Sequence, residues 1–102
     1  MEVIYSSMDD TLRVFKAVAN EKRLDMIRLL AEKGKLSLRE VAFLMDIPEA
    51  TACRNLKILE CAGIVKSTII RAIAQYWLDS DMSELPNGMV VGIVLNGRTD
   101  GN

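Results

Sequence analysis

Apolar residues recur at helical spacing through the first sixty positions of the chain and then change period. Over residues 7–19, Leu12, Phe15 and Ala19 share one face of an amphipathic helix, with Ser7 as its cap and Asp9 and Asp10 at the positive end of its dipole. Asn20 offers a cap for a second helix running to Lys33, in which Leu24, Ile27 and Ala31 hold helical spacing with Leu30 beside them; Gly34 stops it. A third, short helix is announced by a capping box, Ser37-x-x-Glu40, ahead of Val41, Ala42, Leu44 and Met45. Asp46 stands where a tight turn needs a left-handed residue, which aspartate tolerates better than most. Pro48 then opens a fourth helix over 48–62, with Ala52, Leu56 and Leu59 spaced four and three apart and Gly63 closing it.

After Gly63 the pattern is no longer helical. Residues 64–78, IVKSTIIRAIAQYWL, are rich in β-branched and aromatic side chains, as two strands are, with a turn expected within 69–72 although no Gly, Asn or Asp stands there; a helix through part of this stretch is the alternative. Asp79-Ser80-Asp81 reads as a turn or helix start, Pro86-Asn87-Gly88 as a breaker, and Met89 to Leu95 as a short apolar strand ended by Asn96-Gly97. The pattern divides the chain into residues 1–78 and a tail, 79–102.

Composition narrows the function. A chain of 102 residues supports one core, and it holds no histidine, the commonest general base and metal ligand. With no nucleophile–base pair in view, an enzyme is not expected, nor a cofactor. Two cysteines make no disulfide framework, which favours a reducing cytoplasm. The N-terminal residues lack the basic patch and apolar run of a signal peptide, and the longest apolar stretch, 89–95, is far short of the ~20 residues that cross a bilayer, so no membrane role is expected. Half of the residues are hydrophobic, more than one small core hides, and burial against a second copy resolves the excess.

Two short helices joined by a tight turn and followed by a β-ribbon describe a winged helix-turn-helix, whose second helix enters the DNA major groove. The fold class expected is therefore mainly α with a small β-wing: four N-terminal helices, a β-hairpin and a short C-terminal apolar segment. Ala42 is the small residue where the helices cross, and Val41, Leu44, Ile47, Ala52 and Leu56 are the inner face.

From Phe15 to Leu78 the chain also resembles the ArsR family of prokaryotic winged-helix repressors, in FKAVANEKRLDMIRLL, SLREVAFLMDIPEATACRNLKILECAGIV and YWL, above all in Arg23-Leu24 and in Arg54-Asn55-Leu56-Lys57 leading into Ala62-Gly63-Ile64-Val65. The resemblance implies a homodimeric transcription regulator. It places Glu49, Ala50, Thr51, Arg54 and Asn55 towards the DNA groove, Thr51 and Asn55 bonding base edges, Ala50 against a thymine methyl, Arg54 on a guanine or a phosphate, and Lys57 on the backbone. Lys66 and Arg71 fall in the wing and would neutralise phosphate. Glu49 either accepts from a cytosine amine or only favours the helix N-terminus.

Several positions depart from the family. Its metal-sensing members carry a Cys-x-Cys pair at the start of the third helix, where this chain has Ser37 and Arg39; its other known site needs histidines that are absent. No known metal site is therefore expected. Ile69 and Ile70, with Ile73 behind, stand where charged residues are usual, and are taken as core residues of an altered wing rather than an exposed apolar patch. Cys53 and Cys61 lie ~12 Å apart along one helix, too far to bridge. They read as reduced thiols acting as small apolar side chains, Cys61 packed, although oxidation at Cys53 would block DNA binding.

The resulting expectation is a DNA-binding regulator on double-stranded DNA, a repressor that holds a palindromic site as a homodimer with its recognition helices about one DNA turn apart. Helix one and the tail would form the dimer contact, residues 89–95 pairing across the twofold axis. A winged-helix protein-interaction module with weak or no DNA binding is the alternative. The formal charge of −1 seems to oppose DNA, but it conceals a gradient: residues 35–71 carry six basic and four acidic side chains, whereas 72–102 carry one basic and four acidic. The positive balance falls on the segment that would face DNA. It is modest, so weak non-specific binding with a shallow salt slope is expected.

Overall fold

The computed structural model describes residues 2–79 together with Gly92, Ile93 and Leu95, with side chains from Asp9 onward. The element order is α1 (Glu2–Val18), α2 (Glu21–Lys33), β1 (Leu36–Ser37), α3 (Leu38–Met45), α4 (Glu49–Cys61), β2 (Val65–Ile70) and β3 (Ile73–Leu78). This is a winged helix-turn-helix, mainly helical, as the pattern predicts.

The local signals act as expected in the middle of the chain. Asn20 Oδ1 accepts from the backbone N–H of Arg23 at 3.1 Å and caps α2, which ends where Gly34 takes a φ of 81°. Ser37 and Glu40 close the capping box reciprocally: the Glu40 N–H donates to Ser37 Oγ at 3.1 Å, and the Ser37 N–H donates to Glu40 Oε1 at 2.8 Å. Asp46 is left-handed at φ 55°, and Gly63 at φ 80° ends the turn after α4. Pro48 is the N-cap rather than the first helical residue.

The first helix departs from the sequence reading twice. It begins at Glu2, so Ser7 lies inside it rather than capping it; a mid-helix serine costs only a few tenths of a kcal/mol, too little to end a helix. The face set against the core is also different. Val14 and Ala17 are buried, whereas Leu12 and Phe15 are 52% and 47% exposed. Residues two apart lie roughly 200° around a helix, so α1 carries two apolar faces, and the smaller side chains allow the closer approach to its neighbours.

The core gathers Val14 and Ala17 of α1, Met26, Ile27 and Leu30 of α2, Val41 and Ala42 of α3, Ala52, Leu56 and Leu59 of α4, and Ile64, Val65 and Tyr76 around the wing. Met26 takes the place the pattern gave to Ala31, which is exposed, and Leu44 points outward rather than into the inner face.

The sheet is antiparallel in the order β1-β3-β2. β2 and β3 form a hairpin in register from Val65↔Leu78 to Ile70↔Ile73. β1, which no pattern announces in two residues, adds to the other edge of β3 through Leu36↔Tyr76 and Ser37↔Gln75. The hairpin turn is Arg71-Ala72, both with positive φ (52° and 67°), the handedness a two-residue turn needs to match strand twist. It falls within 69–72 without the residues that usually make it.

In the tail, Gly92, Ile93 and Leu95 are helical, and Leu95 packs against the core cluster. At these three positions this corrects the strand expected over 89–95: helical backbone satisfies its own hydrogen bonds and needs no strand edge. The turn and breaker expected at 80–81 and 86–88 lie outside the described residues. Among the described residues no helix is long and apolar enough to cross a membrane.

Candidate nucleic-acid interface

The helix-turn-helix is held by backbone chemistry at Asp46 and Ile47. The Asp46 N–H donates to the Phe43 carbonyl at 3.2 Å, and the Ile47 N–H reaches back to the Ala42 carbonyl at 3.0 Å. The left-handed Asp46 reverses the chain so that α4 leaves across α3, with Ala42 and Ala52 buried in the helix pair.

α4 has two faces. Ala52, Asn55, Leu56 and Leu59 are buried, while Glu49, Ala50, Arg54 and Lys57 are exposed, with Thr51 half-buried between them. Ala50, Arg54 and Lys57 follow the four-and-three spacing of one helix face. They form a small, cationic outward surface. Glu49, in the first turn, faces Arg39 of α3, whose Nε lies 3.7 Å from its carboxylate oxygen. This ion pair offsets the acid at the helix start, a role the sequence alone did not give to Arg39. Its signal was a cation in the capping-box turn.

Asn55 does not belong to the outward surface. Its side chain is buried, the residue 7% exposed, and both ends are engaged: Oδ1 accepts from Arg23 Nη1 at 2.9 Å, and Nδ2 donates to the Thr51 carbonyl at 2.9 Å. The same Arg23 guanidinium donates to the carbonyls of Lys16 and Ala17 at the end of α1. The amide expected at a base edge is committed here to a strut, Arg23, that ties α1 and α2 to α4. An arginine early in α2 and an amide on α4 were both visible in the sequence, but their 32-residue separation gave no sign that they meet.

The wing places its two cations apart. Lys66 stands at the foot of the ribbon opposite Trp77, its ammonium 4.0 Å from the Asp79 carboxylate. Arg71 is at the tip. The isoleucines around it are not core: Ile69, Ile70 and Ile73 are 73%, 49% and 52% exposed. The fully buried core stops at Tyr76 and Val65, and of the last two cross-strand pairs only Ala74 packs against it. A cleft lies between the tip and the helix starts, lined by Leu38, Arg39, Glu49, Ala72 and Ile73 among others.

On the inner face of the ribbon, Ser67 Oγ donates to Glu60 Oε2 at 2.6 Å. Burial, and then the negative charges available at Cys53 and Glu60, raise the Tyr76 hydroxyl above the ordinary tyrosine value of 10.0. Cys53 is half-buried and Cys61 exposed, so Cys61 is not packed as expected; both are free thiols.

Residues 18–68, half of the chain, match the helix-turn-helix domain family. The fold also matches, with a TM-score of 0.80 and 23% identity over 99% of this chain and 89% of the other, the homodimeric winged helix-turn-helix DNA-binding domain of a possible ArsR-family transcriptional regulator from Mycobacterium bovis. The chain belongs to the helix-turn-helix domain family, and its fold is that of the winged helix-turn-helix proteins. It is 31% identical over 72 residues to a homolog of the cadmium resistance transcriptional regulatory protein CadC from Staphylococcus aureus, covering 71% of this chain and 60% of that protein. It is 37% identical over 54 residues to an uncharacterized helix-turn-helix transcriptional regulator from Methanocaldococcus jannaschii, covering 53% of this chain and 61% of that protein. The chain thus spans about three fifths of the length of the curated relatives it matches.

Where metal-sensing ArsR-like proteins place thiolates at the start of α3, Ser37 is consumed in the capping box and Arg39 faces Glu49. A hydroxyl already accepting a hydrogen bond and a guanidinium do not fit a thiophilic cation.

Proposed function

We propose that the chain is a sequence-specific DNA-binding transcriptional regulator that acts as a repressor in the cytoplasm, holding a palindromic site as a homodimer. The observation that carries this reading is the outward face of α4, where Ala50, Arg54 and Lys57 are exposed together beside a turn held in helix-turn-helix geometry. Residues 1–78 are the DNA-binding unit in this reading. Arg54 reads a guanine or grips a phosphate, Thr51 and Ala50 meet base edges, Lys57 and Arg71 meet the backbone, and Lys66 supports the foot of the wing. Glu49 stays with Arg39 at the helix start. The second apolar face of α1, Leu12 and Phe15, with Ile58 of α4 beside it, is the dimer contact, joined by the tail over 79–102. The Mycobacterium bovis neighbour, homodimeric in solution, supports an assembly of this kind.

The test is fluorescence anisotropy against DNA selected from a random pool and against unselected duplex. Preferential binding to the selected sequence, lost on Arg54→Ala with helicity unchanged, supports the reading. Equal binding to all sequences with no loss on Arg54→Ala refutes it. The exposed isoleucines favour a second reading, a protein-interaction module with little DNA affinity. Retention on DNA resin separates the two, since a DNA binder is released as salt rises through counterion displacement and the module is scarcely retained.

A further inference from the structure

The ribbon register decides what the exposed isoleucines can do. Along a strand, side chains alternate between faces. Val65, Ser67 and Ile69, opposite Leu78, Tyr76 and Ala74, therefore share the inner face, and Lys66, Thr68 and Ile70, opposite Trp77, Gln75 and Ile73, share the outer one. At the tip both faces are apolar: Ile69 is exposed on the inner side, Ile70 and Ile73 on the outer side. A flat protein-docking surface would gather such residues on one face. Here they wrap a protrusion one hairpin wide.

The protrusion is also stiff, and a cation stands at its end. Pairing persists up to Ile70↔Ile73, and the turn has only two residues. The stretch 65–78 contains Lys66 and Arg71 and no acidic residue. At the tip, a left-handed position that glycine would fill without strain is occupied by Arg71, between Ile70 and Ile73 in the chain. An apolar edge that carries a guanidinium at its apex suits a polyanion whose interior is apolar, that is, a stacked duplex. Proteins that bind the minor groove insert side chains such as Ile, Leu or Phe between base steps and kink the helix.

We propose that the wing tip is an apolar wedge, in which Ile69, Ile70 and Ile73 enter the minor groove beside each half-site and open a base step while Arg71 holds the adjoining phosphate. This rests on the DNA-binding reading above and adds to it a bent duplex and a preference for steps that unstack easily. Pyrimidine–purine steps, the most deformable, are the preferred class.

The experiment uses the full chain and a duplex selected from a random pool, end-labelled for energy transfer and carrying 2-aminopurine at successive steps flanking the half-sites. The wild type is expected to shorten the end-to-end distance and to raise 2-aminopurine fluorescence at one step per half-site. Ile69→Thr with Ile70→Thr keeps β-branched residues in the strands and is expected to bind about ten- to a hundred-fold more weakly, without bend or unstacking. Ile69→Leu with Ile70→Leu restores the apolar edge and is expected to restore both signals, so a loss seen with threonine cannot be put down to misfolding. Tight binding of a straight, fully stacked duplex by the wild type overturns the wedge and leaves the DNA-binding reading standing. Threonine variants that keep affinity and bend also overturn it, as do variants that alter only self-association in sedimentation, which would make the tip a protein contact. Absence of any DNA binding by the wild type overturns the DNA-binding reading itself, and the wedge with it.

Discussion

Replacing Asn55 by alanine separates two accounts of the recognition helix. If Asn55 faces a base edge, the substitution leaves the free protein stable and weakens DNA binding. The structure assigns the opposite. Asn55 Oδ1 takes a charge-assisted hydrogen bond from Arg23, a class worth about 1.5–3 kcal/mol net. The donation to the Thr51 carbonyl adds less, because that carbonyl keeps its place in the helix. Alanine returns a few tenths of a kcal/mol through its better helix propensity. The balance is a loss of about 2 kcal/mol, which in a domain of this size lowers Tm by roughly 8–16 °C. Thermal unfolding followed by circular dichroism at fixed protein concentration measures it, the fixed concentration removing any contribution from subunit association. A cycle with Arg23→Ala should show a coupling of about 1–2 kcal/mol, since each single change already breaks the shared bond. A Tm within ~2 °C of wild type, together with lost DNA affinity, would refute the strut and return Asn55 to the groove; on the stability scale above, 2 °C is well under 1 kcal/mol.

Three further outcomes follow from the same structure. Ala72→Gly removes a side chain from left-handed backbone and should stabilise by about 1 kcal/mol, read as a Tm rise of roughly 4–8 °C, with Arg71 and the wing isoleucines untouched. Because the folded Tyr76 hydroxyl titrates above its unfolded value of 10.0, its contribution is fully present below pH 10 and is lost as pH rises through the folded pKa. Chemical denaturation across that range should therefore fall more steeply in the wild type than in Tyr76→Phe. Phe15→Glu puts a charge on the outward face of α1, and sedimentation should show a monomer that keeps its helicity and binds a half-site but not a palindrome.

Much of the fold is legible in the sequence because its middle is punctuated by local chemistry. Asn20, Ser37 with Glu40, Asp46 and Gly63 each satisfy backbone groups within a few residues of themselves, so the signal and its cause lie together. The remainder depends on distant partners. α1 has apolar side chains on both sides, and only packing decides that Val14 and Ala17 turn inward while Leu12 and Phe15 do not. Leu44 fits a helical stripe, yet the short α3 is already anchored by Val41 and Ala42. The hairpin turn lacks the usual residues because register, fixed by six cross-strand pairs, forces Arg71 and Ala72 into left-handed backbone. Within the candidate interface, the exposed positions of α4 could be counted off by helical period. Asn55 could not, because its fate is decided by an arginine on another helix. The ion-pairing role of Arg39 is hidden in the sequence for the same reason, its partner being across the turn.

Ser37 has a further consequence for how the molecule moves. This one residue is the last of the strand that pairs with Gln75 and also the cap from which α3 starts, its side chain and its N–H both committed to Glu40. The wing is therefore no appendage hinged on a flexible loop. Any rocking of the ribbon is passed through Ser37 into the first turn of α3, and from there to the recognition helix packed on it. Amide hydrogen exchange should therefore show the wing and the helix pair opening together, so that a grip on the tip also bears on α4.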